Sequence, residues 1–288
     1  MFIMNTLKIA IQKSGRLSEH SVTMLKEAGM HLTNGKRTLL AYSSSFPLEI
    51  LYLRDDDIPQ YVGDQVADAG IIGEDVLVES GNNLEIIQRL GFSRCRLSLA
   101  IPKEIDYNDL DWFSGKRVAT SFPNILRNYL ERHNLHAEIH ELNGSVEIAP
   151  AIGLADGILD IVSSGSTLIS NGLKEVEVVM QSEAILVSSP KLSHIKQVLL
   201  EDFLFRIRAV LAARDNKYIL LNAPNDRINE ICRILPGMKS PTVMPLAEPG
   251  WSSVHSVLSE SQFWSVINQL REVGAEGILV IPIEKMIV

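Results

Sequence analysis

The chain has 288 residues and a mixed composition, 46% hydrophobic and 22% charged, which is enough for two compact lobes or two lobes with an appendage. No run approaches the about 18 consecutive apolar residues of a membrane span, and MFIMNTLKIAIQKSGR has neither a basic stretch ahead of its apolar residues nor a small-residue cleavage site, so a cytoplasmic protein with no membrane partner is expected. A net charge of −8 argues against nucleic acid as a general partner but leaves room for an anionic ligand, because screening beyond ~8 Å makes a pocket's own charge decisive.

In chain order, Leu7–Ile11 is a short apolar strand, QKSGR a polar loop, and Ser18 opens a helix that Gly29 stops. Ile58-Pro59 opens a helix leading into VADAGIIGED (66–75), and Arg94–Pro102 is extended. Lys116–Thr120 then begins a second copy of the same order, with the loop SFPN and the helix ILRNYLERHN. Ala149-Pro150 opens a helix leading into LDIVSSGST (159–167), Glu183–Pro190 is extended, and Lys196–Arg214 is helical. From Lys217 the pattern changes to a strand (YILLNA), a helix with Ile228, Ile231, Cys232 and Leu235 at helical spacing, and strands PTVMPLA and WSSVHSVLS. A capping box at Ser259 and Gln262 opens the helix FWSVINQLREVG, and the strand GILVIPI closes the chain.

The two copies align Asp68 and Gly73 with Asp160 and Gly165. Each is a strand-helix-strand-helix-strand unit, which right-handed crossovers wind into a parallel sheet whose loops gather at the carboxyl ends of the strands. The fold expected is α/β, a two-lobed periplasmic-binding-protein-like (type II) core followed by a ferredoxin-like (ACT-like) βαββαβ domain. Lobe I covers 1–98 and 186–215, lobe II 99–185 and the C-terminal domain 216–288, with hinge strands near 95–102 and 183–190. Cys95 and Cys232 are too few for a disulfide framework and are expected as reduced thiols.

Three loops carry candidate chemistry. In DIVSSGSTL (160–168), a glycine among serines frees consecutive N–H groups to point at one anion, and the segment after Thr167 reads as a helix whose N-terminus adds to that nest. Ser163, Ser164, Gly165, Ser166 and Thr167 suit a phosphate, while ionised Asp160, an acceptor only, suits a ribose hydroxyl. A serine-rich loop without a ligand is the alternative for this stretch alone. QKSGR sets Lys13 and Arg16 around Gly15, a pattern for polyphosphate, and GIIGED brings Gly73, Glu74 and Asp75 to a third strand end, where carboxylates help hold Mg²⁺ through its waters. For each, the bland alternative is a solvated face.

From Glu147, EIAPAIGLADGILDIVSSGSTL resembles the signature of the ATP phosphoribosyltransferase family, with Glu147, Gly153, Ala155, Ile158, Asp160, Ser164, Gly165 and Thr167 at its defining positions. QKSGRLS, RDDDIP, GIIGED, RLSLAIP, LNGSVEIAP, NGLKEVEVV and LVIPIEKM resemble the same family, so the likeness spans essentially the whole chain. The resemblance implies an enzyme that condenses ATP with phosphoribosyl pyrophosphate, with Mg²⁺, in the first step of histidine biosynthesis. It places the sugar 5′-phosphate on Ser163–Thr167, the ribose hydroxyls on Asp160 with Glu147 near the sugar, and polyphosphate on Lys13, Gly15 and Arg16. Arg54, Gly73, Glu74 and Asp75 complete the ATP side, Arg54 more weakly because Asp55–Asp57 can pair with it. The C-terminal module resembles that of the long form, in which it binds L-histidine as a feedback inhibitor; Asn222, Ser240, Thr242 and Gly277 correspond to that site, and a homo-oligomer from dimer to hexamer follows.

Rival classes fit less well. A solute-binding protein calls for a signal peptide, a transcription-factor effector domain for an attached helix-turn-helix, and prephenate dehydratase for a Thr-Arg-Phe motif with no use for a ribose-phosphate loop. His133, His136 and His140 sit on a helix end and an extended segment that point them different ways, so they are not expected to form a metal site.

Overall fold

The structure is a computed structural model that describes residues 6–33, 39–235 and 237–287. It divides into two compact units, Met1–Thr23 with Met30–Leu200, and Met24–Gly29 with Glu201–Val288.

The first unit is built on two sheets. Its strands in chain order are β1 (Leu7–Gln12), β2 (Leu32–Thr33), β3 (Leu40–Ser43), β4 (Leu48–Leu53), β5 (Ala69–Gly73), β6 (Glu85–Arg89), β7 (Cys95–Pro102), β8 (Arg117–Thr120), β9 (Glu138–Glu141), β10 (Gly157–Val162), β11 (Leu173–Ser182) and β12 (Ala184–Ser188). The helices are α1 (Arg16–Glu27), α2 (Ile58–Gly63), α3 (Glu74–Ser80), α4 (Pro123–Arg132), α5 (Ser166–Ser170) and α6 (His194–Arg214), the first and last running on into the second unit. Sheet order is β2-β3-β4-β1-β5-β12-β6 in the first lobe and β11-β7-β10-β8-β9 in the second. In each, three parallel strands (β4-β1-β5 and β9-β8-β10) are followed by one antiparallel strand, β12 or β7. The apolar runs follow from this burial: Leu7, Ile9, Ala10 and Ile11 of β1 are fully buried, as are Leu97, Leu99 and Ile101 of β7.

β7 and β12 each lie within a single sheet, so they are not hinges in themselves; the chain passes between lobes at 90–94 and at Glu183. The expected limits at 98/99 and 185/186 fall inside these strands.

The strand pairing also resets the internal repeat. β5 runs beside β1 from Ala69 opposite Ile9, and β10 beside β8 from Gly157 opposite Val118. The residue ahead of each is Asp68 or Asp156, and both do the same work: Asp68 accepts the backbone N–H of Lys8 at 2.8 Å, and Asp156 that of Arg117 at 2.9 Å. Asp68 also pairs with Lys196 and Asp156 with Arg117. The counterpart of Asp68 is therefore Asp156, and Asp160 falls opposite Ile72 in the duplicated frame. The helix expected from Ala149-Pro150 is instead a 3-10 turn at Val146–Ile148 followed by turns, in which Gly153 takes a φ of +75°. The helix expected after Thr167 begins one residue before it, at Ser166.

The second unit contains β13 (Asn216–Pro224), α7 (Ile228–Ile234), β14 (Thr242–Pro245), β15 (Trp251–Ser259), α8 (Glu260–Glu272) and β16 (Glu276–Pro282). The antiparallel order β14-β15-β13-β16 is that of a ferredoxin-like sheet. Ile219, Leu221, Val254 and Leu258 pack against Ile231, Phe263 and Leu270 of the two helices. The Ser259–Gln262 capping box opens α8 as its sequence requires. Among the described residues, no helix is long and apolar enough to cross a membrane.

Candidate functional site

Parallel strands end on one side of their sheet, so the loops after β1, β4 and β5 meet those after β8, β9 and β10 between the lobes. Two cavities lie there. One, of about 510 Å³, is lined by Gln12, Lys13, Ser14, Leu53, Arg54, Asp55, Asp56, Asp75 and Val76 of the first lobe and by Phe122 and Ile161 of the second. The other, of about 780 Å³, shares Arg54, Asp56, Val76 and Phe122 and extends to Glu79, Asn124, Arg127 and Asn143.

In the second lobe, β10 delivers Asp160 half-buried beside Ile161, whose N–H it accepts at 2.7 Å. Burial raises the Asp160 carboxyl above the ordinary carboxylate range; the Ile161 N–H opposes that shift and the nearby charge of Glu147 adds to it. The two carboxylates of the signature thus share one neighbourhood. In the first lobe β5 runs straight into α3, with Gly73 both its last residue and the helix N-cap. In the second, Ser163, Ser164 and Gly165 intervene between β10 and α5. Gly165 sits at a φ of +78°, a conformation that a side chain would strain. Ser164 and Ser166 hydroxyls lie 3.0 Å apart, and Ser163, Ser164, Ser166 and Thr167 are all exposed. Arg96, held by Glu175, donates to the Ser163 carbonyl at 3.4 Å and borders the loop.

In the first lobe, the Lys13 N–H is tied to the Leu53 carbonyl at 2.8 Å, which holds the β1 and β4 loops side by side. Lys13 and Arg54 line the smaller cavity, whereas Gly15 and Arg16 stand exposed at the start of α1. Among the described residues no ion pair joins Arg54 to Asp55–Asp57, so the pairing expected there is not made.

The carboxylates expected to face Mg²⁺ are engaged elsewhere. Both Glu74 oxygens are bound by Arg89, at 2.5 and 2.6 Å, and Asp75, buried, accepts the Ser182 hydroxyl at 2.8 Å. A Cβ at Gly73 would come within 2.1 Å of the Asp75 carboxylate, so glycine there makes room for it. Among the described residues no three His, Cys, Asp or Glu side chains gather to hold a metal. The expectation for Glu74 and Asp75 is contact with Mg²⁺ through its waters, and their direct partners here are Arg89 and Ser182. Sequence patterns do not mark Asp55, whose buried Oδ1 has no hydrogen-bond partner among the described residues and whose carboxyl is pushed up to about 7 by burial, then by the charges of Asp75 and Asp56.

The C-terminal domain has its own cavity of about 360 Å³, lined by Tyr218, Met238, Lys239, Ser240, Thr242, His255, Ser256 and Val257. Ser240 and Thr242 come together here, while Asn222 and Gly277 are not among its walls and face each other across β13 and β16, where a Cβ at Gly277 would lie 3.2 Å from Asn222 Nδ2. Tyr218, His255 and Ser256 are additions that only strand register reveals. The His255 ring is bonded at both nitrogens, to Tyr218 at 2.7 Å and to Ser253 at 2.9 Å, and the buried Ser256 hydroxyl has no partner among the described residues.

A family model described as ATP phosphoribosyltransferase matches residues 54–209, more than half of the chain. The chain belongs to this family. A second model, the HisG C-terminal domain, matches residues 213–285. An ATP phosphoribosyltransferase of Phocaeicola vulgatus is 59% identical over 281 residues, covering 98% of this chain and 99% of that protein. One from Bacteroides thetaiotaomicron is 59% identical over 282 residues, covering 98% of this chain and all of its own. Among solved structures, the ATP phosphoribosyl transferase (HisG:HisZ) complex from Thermotoga maritima superposes with a TM-score of 0.64 at 33% identity, covering 72% of this chain and 99% of the matched one.

Proposed function

We propose that the chain joins ATP to phosphoribosyl pyrophosphate, giving N1-(5-phosphoribosyl)-ATP and pyrophosphate, the first step of histidine biosynthesis. The observation that carries this reading is Asp160 beside the Ser163–Gly165 insertion: the duplicated frame has Ile72 and a direct strand-to-helix passage at the same place, so neither feature is needed to build a lobe. Adenine N1 is a weak nucleophile and the anomeric carbon leaves pyrophosphate with oxocarbenium-like charge, so positioning and electrostatics do most of the work. Ser163–Thr167 hold the sugar 5′-phosphate, and Asp160 with Glu147 meets the ribose. Lys13 and Arg16 balance charge on the departing pyrophosphate, and Arg54 faces the ATP side of the cleft. Mg²⁺ would be held by the substrate phosphates and, through its waters, by Glu74 and Asp75, and would supply charge neutralisation at the pyrophosphate. The test is to mix the protein with both substrates and follow adenine absorbance with and without Mg²⁺. A change that needs both substrates is expected; none at any Mg²⁺ concentration removes the proposal.

The regulatory part rests on the cavity at Ser240 and Thr242, where the unpartnered Ser256 hydroxyl supports a polar amino-acid ligand. We propose L-histidine as that ligand, acting without competing with phosphoribosyl pyrophosphate and favouring a hexamer over a dimer. An effector in this domain acts only through its differential affinity for two states of the enzyme. The domain's core runs from Ile219 to Ala275, so removing residues 217–288 takes that core out whole, at the loss of the Met286 N–H bond to the Ala209 carbonyl of α6. The truncated chain should lose inhibition by millimolar histidine. Full activity of the intact enzyme at that concentration, or equal inhibition of both, sinks the regulatory reading.

A further inference from the structure

Hydrogen bonds join helices of the two lobes at the larger cavity. Glu79, near the end of α3, accepts the N–H of Asn124 on one carboxylate oxygen and that of Ile125 on the other, each at 2.9 Å. The Asn124 side-chain amide donates back to the Glu79 carbonyl at 2.9 Å. Asn124 and Ile125 are the second and third residues of α4, among the donors that a helix leaves without internal partners. α4 cannot cap itself: Pro123 has no N–H, and Phe122 at the N-cap position makes no side-chain bond. The missing acceptor comes from the other lobe as a carboxylate, whose charge the positive end of the helix favours. Glu79 and Ser80 on one side, with Ser121–Asn124 on the other, line the same cavity as Arg54 and Arg127.

We propose that Glu79 is an interlobe latch, a positioning residue that holds the lobes together over the cavity and fixes the Ser121–Asn124 loop within it. The residues given to the substrates are split between lobes, with Lys13 and Arg54 on one and Asp160 and Ser163–Thr167 on the other. A reaction across them requires the lobes to be apposed. Where the competent arrangement is only fractionally populated, apparent affinity falls by that fraction. This kinetic consequence rests on the phosphoribosyl-transfer reading; the latch itself does not.

The test uses the full-length chain with Glu79→Ala and Glu79→Gln. Hydrogen exchange at the Asn124 and Ile125 amides is measured without substrates, and KM and kcat are measured with them. In Glu79→Ala, exchange at these two amides should quicken about tenfold or more, and KM for both substrates should rise about tenfold with a smaller change in kcat. Glu79→Gln, whose amide oxygen still accepts one uncharged bond, should fall between, and it carries the same readout if the alanine variant fails to fold. Unchanged exchange at both amides overturns the latch. So does a fall in KM, which would mean that Glu79 competes with substrate phosphate for the helix end. If the wild-type chain shows no transferase activity, exchange still decides the latch, and only the reading of the reaction is lost.

Discussion

Asp160→Ala should weaken binding of phosphoribosyl pyrophosphate by about ten- to a hundredfold while leaving the fold intact. A hydrogen bond to a charged group contributes about 1.5–3 kcal/mol, which converts to that range of affinity. The fold should survive because, among the described residues, the Asp160 carboxylate is bonded only to the N–H of its neighbour Ile161, and burial already disfavours its charged form. Thr167→Ala, on the exposed first turn of α5, should act in the same direction. The control lies four residues upstream: Asp156→Ala removes the acceptor for the Arg117 N–H and that side chain's ion-pair partner, so it should destabilise the second lobe. Calorimetric titration together with thermal unfolding separates the cases. Unchanged affinity in both Asp160→Ala and Thr167→Ala would remove the sugar-phosphate assignment.

Asp55→Asn should make the protein more stable above neutral pH and leave it nearly unchanged in acid. The Asp55 carboxyl stands at about 7 in the fold against an ordinary 3.8, so the folded chain binds this proton more tightly than the unfolded one. Stability from the protonated group is fully present below about pH 4, declines as pH rises toward 7 and is gone above it. The whole shift corresponds to ~4 kcal/mol, and partial solvent access at the cavity wall reduces the expected gain to about 2 kcal/mol. Melting curves of the two proteins should coincide near pH 4 and separate by pH 8. Curves that stay together at pH 8 would show that Asp55 is ionised without cost, in a better-solvated position than its orphaned Oδ1 implies.

Much of the fold was legible because burial on both faces of a parallel strand leaves an unbroken apolar run, as in LKIAI and AILVS, and because the Ser259–Gln262 pair marks a helix start by local chemistry alone. The register of the repeat was not. Asp156 and Asp160 both precede apolar strand residues, and only the N–H that each accepts, across 39 residues for Asp156 and from its neighbour for Asp160, tells the structural carboxylate from the free one. The Ala149-Pro150 signal was sound locally, but the chain turns away at Gly153 before a helix can form. Within the candidate site, the Ser163–Thr167 loop was readable from composition. The commitment of Glu74 to Arg89, the burial of Asp55 and the reach of Glu79 to α4 were not, because each depends on a partner brought close only by packing.

The order of strands in the first lobe has a consequence for how the protein is made. β12 lies between β5 and β6, so that sheet cannot close until the ribosome has synthesised the entire second lobe. At ~5–20 residues per second, β5 and β6 wait on the order of 10 s with a gap between them. The second lobe runs without interruption from β7 to β11 and needs no later residue for its sheet, so it can finish first although it is made second. The nascent chain meanwhile carries the apolar edge of β5, at Ile71 and Ile72, which an aggregating neighbour can pair with before β12 arrives.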